Sequence, residues 1–346
     1  MIRNTKTVSI KSVIERRKRG FHASKHNGYT SKKSMYKDIE SVVVVTDKLE
    51  ATFLPSQGGK LTSLVLRETG RDYLAQRKEE KYRKLGLDTS YTQAECAAYD
   101  DMFPTIDPWA YPDGPLKGLE YLDHGEVSRV PHTFTECDGA VCTYMKSGIL
   151  PYTFEKRITD NGRGGLRIEF TATNTGEHDF DFIWAAHFMA AAEEGGYVLS
   201  PYAKDAKAEI VFSSNAEKYG ERGDVCTLPY GVDGTTRLDV SKAYGAGNGD
   251  AWKFYYSEAV PEGWLGYQYP SDGTRLMFTF PKDKVPYAGL WMNDGNGGLG
   301  MFHNAALEVC TGSFDRPDTA RERGQYSVLK AGEPYKWFLE IDITKG

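Results

Sequence analysis

The sequence is poor in the features that would sort it quickly into a class. It has 5 cysteines in 346 residues: Cys96, Cys137, Cys142, Cys226 and Cys310. The number is odd, the spacing is irregular and no CxxC pair occurs. Neither a zinc knuckle nor a disulfide framework is indicated, and a reducing cytoplasm is the simplest setting. No apolar run approaches the roughly 18 residues of a membrane span. The longest, Val42-Val43-Val44-Val45, reads as a strand. No apolar segment follows the basic start of the chain, so neither a signal peptide nor the twin-arginine signal suggested by Arg16-Arg17 is expected. HExxH is missing, as are internal repeats and low-complexity tracts.

What is present is an ordinary globular composition, 40% hydrophobic and 26% charged, in a chain long enough to bury a large core. The net charge of −5 is unevenly spread. Residues 1–37 hold eleven Lys/Arg against Glu15 alone, so an acidic globule carries a basic leader. That is not the charge pattern of a nucleic-acid-binding domain. Residues 1–35 lack apolar periodicity and read as a flexible extension with a short helix near Ile10–Arg19; a targeting or phosphate-binding arm is the alternative.

From Ser41 onward the texture is β. SVVVVTD, LEATFLP, KLTSLVLRE, GLRIEFTATN, DFDFIWAAHF, RLMFTFP, YAGLWMN and YKWFLEIDI are short runs rich in β-branched and aromatic residues. LRIEFTATN alternates as a half-buried strand does. DNGRGG, PSDGT and NDGNGG read as hairpin turns. Helical pattern is confined to the charged QRKEEKYRKLG and to RPDTARERG. The expected architecture is all-β, one large antiparallel sandwich domain over residues 36–346.

Polar residues interrupt this pattern at three places. Glu308 lies inside AALEVC, where burying a carboxylate is costly without partners or a task. It is either an edge-strand glutamate facing solvent or a pocket residue. Its face is shared with the small residues Ala306 and Cys310, and burial there would raise its pKa and make it a better base. His187, in FIWAAHFMAA, is either a hydrogen-bonded core residue or a titrating group. The third place is AAYDDMFPTIDP with LDHGEVSR. There Gly125 permits an unusual turn after His124. Asp100-Asp101 is a carboxylate pair whose members should point to opposite faces of a strand, and no metal is expected. The 13% aromatic content, with 22 Tyr, suits either a large sheet core or a sugar-binding cleft.

The order of these motifs resembles the aldose 1-epimerase family of the galactose-mutarotase-like superfamily, over about residues 36–343. LEATFLPSQGGKLTSLVLRETGRDYL is similar to its first strands and DHGE to its first histidine motif. WAAHF is similar to its second, and ALEVCTGSFD to the strand of its catalytic glutamate. The resemblance implies a large antiparallel supersandwich and the interconversion of sugar anomers without a cofactor. It implies Glu308 as base and His187 as the acid at the ring oxygen, with His124 on the ring or the developing charge. The family's substrate-binding Asp and Arg have no clear counterpart. Asp101 is the candidate for the first, Arg77 and Arg129 for the second, and Trp291 is a further candidate binding residue. YDDMFPTIDP before DHGE is similar to bacterial branches without an assigned sugar. The expected partner is a small sugar or sugar derivative, with no nucleic acid and no membrane. A silent carbohydrate-binding protein, and a lyase or hydrolase using Glu308 with Asp101, are the alternatives.

Overall fold

Two antiparallel sheets pack face to face in the computed structural model, which describes residues 24–26, 29–230, 238–297 and 303–346. The main path of the larger sheet begins with the strands Ser24–His26, Tyr29–Tyr36, Ile39–Thr46, Leu49–Leu54 and Lys60–Leu66. It continues through Tyr99–Met102, Ala185–Ala191, His303–Cys310, Tyr287–Asp294, Ala251–Tyr256, Lys207–Ser213 and Val225–Thr227. The smaller sheet is 8-stranded and centres on Tyr152–Asp160, Leu166–Asn174 and Pro334–Lys345. DNGRGG and PSDGT are the hairpin turns expected, joining Tyr152–Asp160 to Leu166–Asn174 and Trp264–Gln268 to Thr274–Thr279.

The core lies between the sheets because strand side chains alternate sides. Leu166, Ile168, Phe170 and Ala172 face inward from one sheet, and Ala186, Phe188, Leu307, Val309 and Leu290 from the other. The opposite set on the central strands of the larger sheet is also buried. Ala185, Cys310, Met102 and Tyr255 meet Tyr91, Ile106 and Phe314 from loops that cross this outer face. A sheet buried on both sides explains why WAAHFMAA and AALEVC read as near-continuous apolar runs.

Three sequence expectations are revised. Tyr29–Tyr36 is a strand paired with Ile39–Thr46, so sheet structure begins inside the stretch read as an extension; residues 1–23, with the helix read near Ile10–Arg19, lie outside the described residues. QRKEEKYRKLG, residues 76–86, is not helical, because Tyr82 and Leu85 are drawn into separate apolar clusters. RPDTARERG does form a helix, Pro317–Glu322. Cys137 and Cys142 are bonded, with Cα atoms 6.0 Å apart. The hairpin of Thr133–Cys137 and Ala140–Lys146 brings them together, a local pairing that irregular spacing along the chain did not signal.

Candidate active site

Strand register places the two expected catalytic side chains side by side. Ala185 pairs with Cys310 and Phe188 with Leu307, so His187 and Glu308 fall opposite one another on the outer face. His187 also pairs with Asp100 on its other side, and Glu308 with Gly289. His187 Nε2 is 3.8 Å from Glu308 Oε1, and both side chains line a cavity of about 260 Å³. Its wall includes His124, Lys253, Asp107, Asp315, Trp291 and Tyr91.

Glu308 is 0% exposed and does not stand alone. Lys253 Nζ lies 2.5 Å from its Oε2 and 2.7 Å from Asp315 Oδ1. Tyr255 donates its hydroxyl to the same Asp315 oxygen at 2.7 Å. Gly289 makes room for this group, since a Cβ there would come within 2.9 Å of the Tyr255 ring. Burial pushes the Glu308 carboxyl above its ordinary range, with Lys253 opposing the shift. Burial pulls Lys253 down, but Asp315 and Glu308 outweigh it and hold the ammonium above its usual value. One ammonium thus serves two carboxylates.

His187 is held by a second buried chain. Its Nδ1 is 3.3 Å from the Tyr91 hydroxyl, which donates to Asp100 Oδ2 at 2.9 Å. Lys60 Nζ meets the same Asp100 oxygen at 2.6 Å. Burial pushes the His187 imidazole well below 6.5, and the positive charges of His124, Lys253 and Lys60 push the same way. Burial, then Lys156, depresses His132 similarly. Both histidines therefore bind a proton more tightly in the unfolded chain. Their contribution to stability is complete above about pH 6.5 and is lost as pH falls toward their depressed folded values. The melting temperature is expected to drop as pH goes from 7 to 5, and His187→Gln is expected to flatten that drop; an unchanged slope would contradict it.

His124 enters the cavity from a tight loop. Both His124 and Gly125 have positive φ, 59° and 72°. Tyr91 stacks on the His124 ring with centroids 3.8 Å apart, and Asp123 meets its Nδ1 at 2.7 Å. A Cβ on Gly125 would lie 2.2 Å from the Phe103 carbonyl oxygen. Gly125→Ala is therefore expected to destabilise the fold by more than 1 kcal/mol or so and to displace His124; a wild-type melting temperature would contradict this.

The remaining expected site residues separate. Trp291 lines the cavity and packs on Phe212 at 5.3 Å. Asp101 is on the other face of its strand, as alternation requires, and lies between the sheets. Its oxygens accept from Tyr99 and Trp184 and pair with the Lys156 ammonium. Arg129 is buried and spends its guanidinium on the carbonyls of Gly125, Asp123, Gly86 and Thr89. It braces the His124 loop and does not line the cavity. Arg77 binds the Glu95 carbonyl and Glu79, also outside the cavity lining. Lys253, Asp315, Asp107 and Tyr91 were not anticipated. Lys253 gave the same signal as Glu308, a charge inside an apolar strand, AWKFYY. Among the described residues no group of three or more His, Cys, Asp or Glu side chains is placed to hold a metal ion, and no helix is long and apolar enough to cross a membrane.

No family model matches the chain, and no curated protein matches it. Solved structures do. A galactose mutarotase-like protein from Clostridium acetobutylicum superposes with a TM-score of 0.61 at 11% identity, covering 92% of this chain and 100% of that one. A galactose mutarotase-like protein from Lactobacillus casei gives 0.58 at 16% identity over 88% and 100%. A galactose mutarotase related enzyme from Lactobacillus acidophilus gives 0.59 at 13% identity over 88% and 97%. At such identities the likeness is one of architecture, and the architecture of this chain is the galactose mutarotase-like β-sandwich.

Proposed function

We propose that this protein is an isomerase that interconverts the α and β anomers of a free sugar or sugar derivative by acid–base ring opening. The observation that carries the reading is the meeting of His187 Nε2 and Glu308 Oε1, 3.8 Å apart, in one cavity. That gap is too long for a direct hydrogen bond and leaves the two groups turned toward a common guest. Opening a cyclic hemiacetal requires one proton to leave the anomeric hydroxyl and another to reach the ring oxygen. A buried carboxyl raised in pKa and a buried neutral imidazole suit that exchange. Trp291, Phe212, Val211 and Met189 supply an apolar wall for a sugar face, and Asp107, Asn304 and Asp315 supply polar groups for hydroxyls. His124 lines the same cavity and is the candidate for binding the ring or its developing charge. The mutarotase-like names of the solved relatives support a sugar as guest.

One observation favours a second reading, a silent sugar-binding protein: the Lys253 ammonium engages Glu308 at 2.5 Å, which restrains its use as a base. The hydrolase reading loses its expected partner carboxylate, since Asp101 lies on the core face. Anomer exchange followed by NMR on hexoses, pentoses, uronic acids and sugar 6-phosphates separates these. Faster α/β exchange on one sugar is the expected result. Binding without acceleration would move the protein to the silent class, and inertness toward the whole panel would contradict the isomerase reading.

A further inference from the structure

The strand register that joins His187 to Glu308 also sets out what lies beyond them on the outer face. Side chains two residues further along the same strands form the next row, about 6.7 Å away. That row holds Met189 and Trp291, which pair with Ala306 from either side. The third row, about 13 Å from the first, holds Asn304 with Asn293 opposite it. In the other direction the face is filled, since Ala185 and Cys310 are buried in one cluster with Tyr91, Ile106 and Phe314. The cavity therefore runs from His187 and Glu308 past Trp291 to Asn304, and all four line it.

Asn304 ends this run as an amide without a partner. It is 1% exposed, and its Oδ1 is buried and accepts no hydrogen bond among the described residues. Asn293 beside it is engaged, because its Oδ1 accepts from the backbone N–H groups of Gly295 and Asn296. Lys253, opposite Trp291, turns its ammonium to Glu308 and Asp315. A buried amide left unpaired costs stability. At the end of a cavity, it points to a group that arrives with the guest.

We propose that Asn304 is a specificity-determining residue, pairing with a hydroxyl on the C3–C4 edge of an aldopyranose whose C1–O5 bond lies at Glu308 and His187. The orientation of the sugar rests on the isomerase reading. In a six-membered ring the C3–C4 bond is directly across from C1–O5. With C1–O5 held in the first row, the ring lies over the second, where Trp291 is partly exposed and offers an apolar face. The hydroxyls on C3 and C4 then point to the third row. The span of about 13 Å between the Glu308 and Asn304 backbones takes up the two side chains and one ring with its hydroxyls. An amide holds both donors and an acceptor, which suits a hydroxyl. A guest that lacks this hydroxyl leaves the amide unpaired again, and a site of that kind discriminates against it.

The test measures binding, which needs no turnover. Full-length protein is titrated with D-glucose and D-galactose and with the 3-deoxy and 4-deoxy derivatives of each, and affinity is read by ligand-observed NMR. For the hexose that binds better, loss of one of these two hydroxyls is expected to weaken binding at least about tenfold. In Asn304→Ala that ratio is expected to fall to about twofold or less, through weaker binding of the parent hexose. The melting temperature is expected to stay at or above that of the wild type, because an unpaired buried group has been removed. Asn304→Ser, which keeps a short polar group, is expected to give an intermediate ratio. A merely structural Asn304 would lower the melting temperature and leave the ratio as in the wild type. A wild-type ratio near one for both hydroxyls, a ratio that survives in both variants, or variants that do not fold would each overturn the proposal. Discrimination at C3 or C4 without anomer exchange would uphold Asn304 as the reader and overturn the isomerase reading. Exchange without discrimination would do the reverse, which keeps the two failures apart.

Discussion

Glu308→Gln is expected to slow anomer exchange by about 10²–10⁴-fold while leaving the fold intact. The amide matches the carboxyl in shape, and its oxygen still accepts from Lys253. Lys253 in turn keeps Asp315 at 2.7 Å, so no buried ammonium is stranded. What is lost is the group that can exchange a proton with the sugar. A parallel thermal melt separates chemistry from folding. A variant that exchanges anomers at the wild-type rate with an unchanged melting temperature would remove Glu308 from the mechanism.

Asp101→Ala is expected to do the opposite: to cost stability and leave the cavity's chemistry in place. Asp101 is 3% exposed and lies between the sheets. Its Oδ1 accepts from the Tyr99 hydroxyl at 2.6 Å and the Trp184 indole at 2.9 Å, and the Lys156 ammonium pairs with its other oxygen. Removing the carboxylate strands that ammonium in the core, with only the Gly58 and Gly59 carbonyls at 3.2 and 3.0 Å to hold it. Breaking a buried pair from one side costs about 3–5 kcal/mol, and two orphaned neutral donors add to this. Denaturant unfolding measures the loss. A stability within about 1 kcal/mol of wild type, together with lost sugar binding, would return Asp101 to the site.

The neighbours Asp100 and Asp101 show how far the sequence could be read. Alternation along a strand told that the two acids part, and the structure agrees. It could not tell which of them lies on the outer face of the larger sheet, where the cavity is, because that depends on which side of that sheet receives the smaller one. Glu308, His187 and His124 were legible because each interrupts its surroundings: a charge or imidazole in an apolar run, or a histidine beside a turn glycine. Lys253 was equally legible by that criterion, in AWKFYY, but a lysine in a strand suggests a snorkelling surface residue until its partners are known. Tyr91 was not legible. It sits on a 3-10 turn, Tyr91–Gln93, in a polar loop without periodicity, and only the folding of that loop over the sheet brings it between two histidines. Arg129 drew attention as a cation near DHGE. Its donors all meet backbone carbonyls, a role that residue type alone does not distinguish from binding an oxyanion.

The β texture from Ser41 onward was sufficient for the fold class, since Val, Ile, Phe, Tyr and Trp runs between Gly and Asp turns leave few other architectures. Strand order was beyond it. His303–Cys310 lies beside Ala185–Ala191 across more than 110 residues of chain, a pairing that no local pattern encodes, and the site exists only because of it.

The most direct test of the account is magnetisation transfer between the α and β anomeric protons of a sugar that binds, recorded with the wild-type protein and with Glu308→Gln. The account predicts transfer with the wild type well above the uncatalysed rate and none beyond it with the variant. Transfer at the uncatalysed rate for every sugar that demonstrably binds would contradict it, and would leave a mutarotase-like sandwich that holds sugars without turning them over.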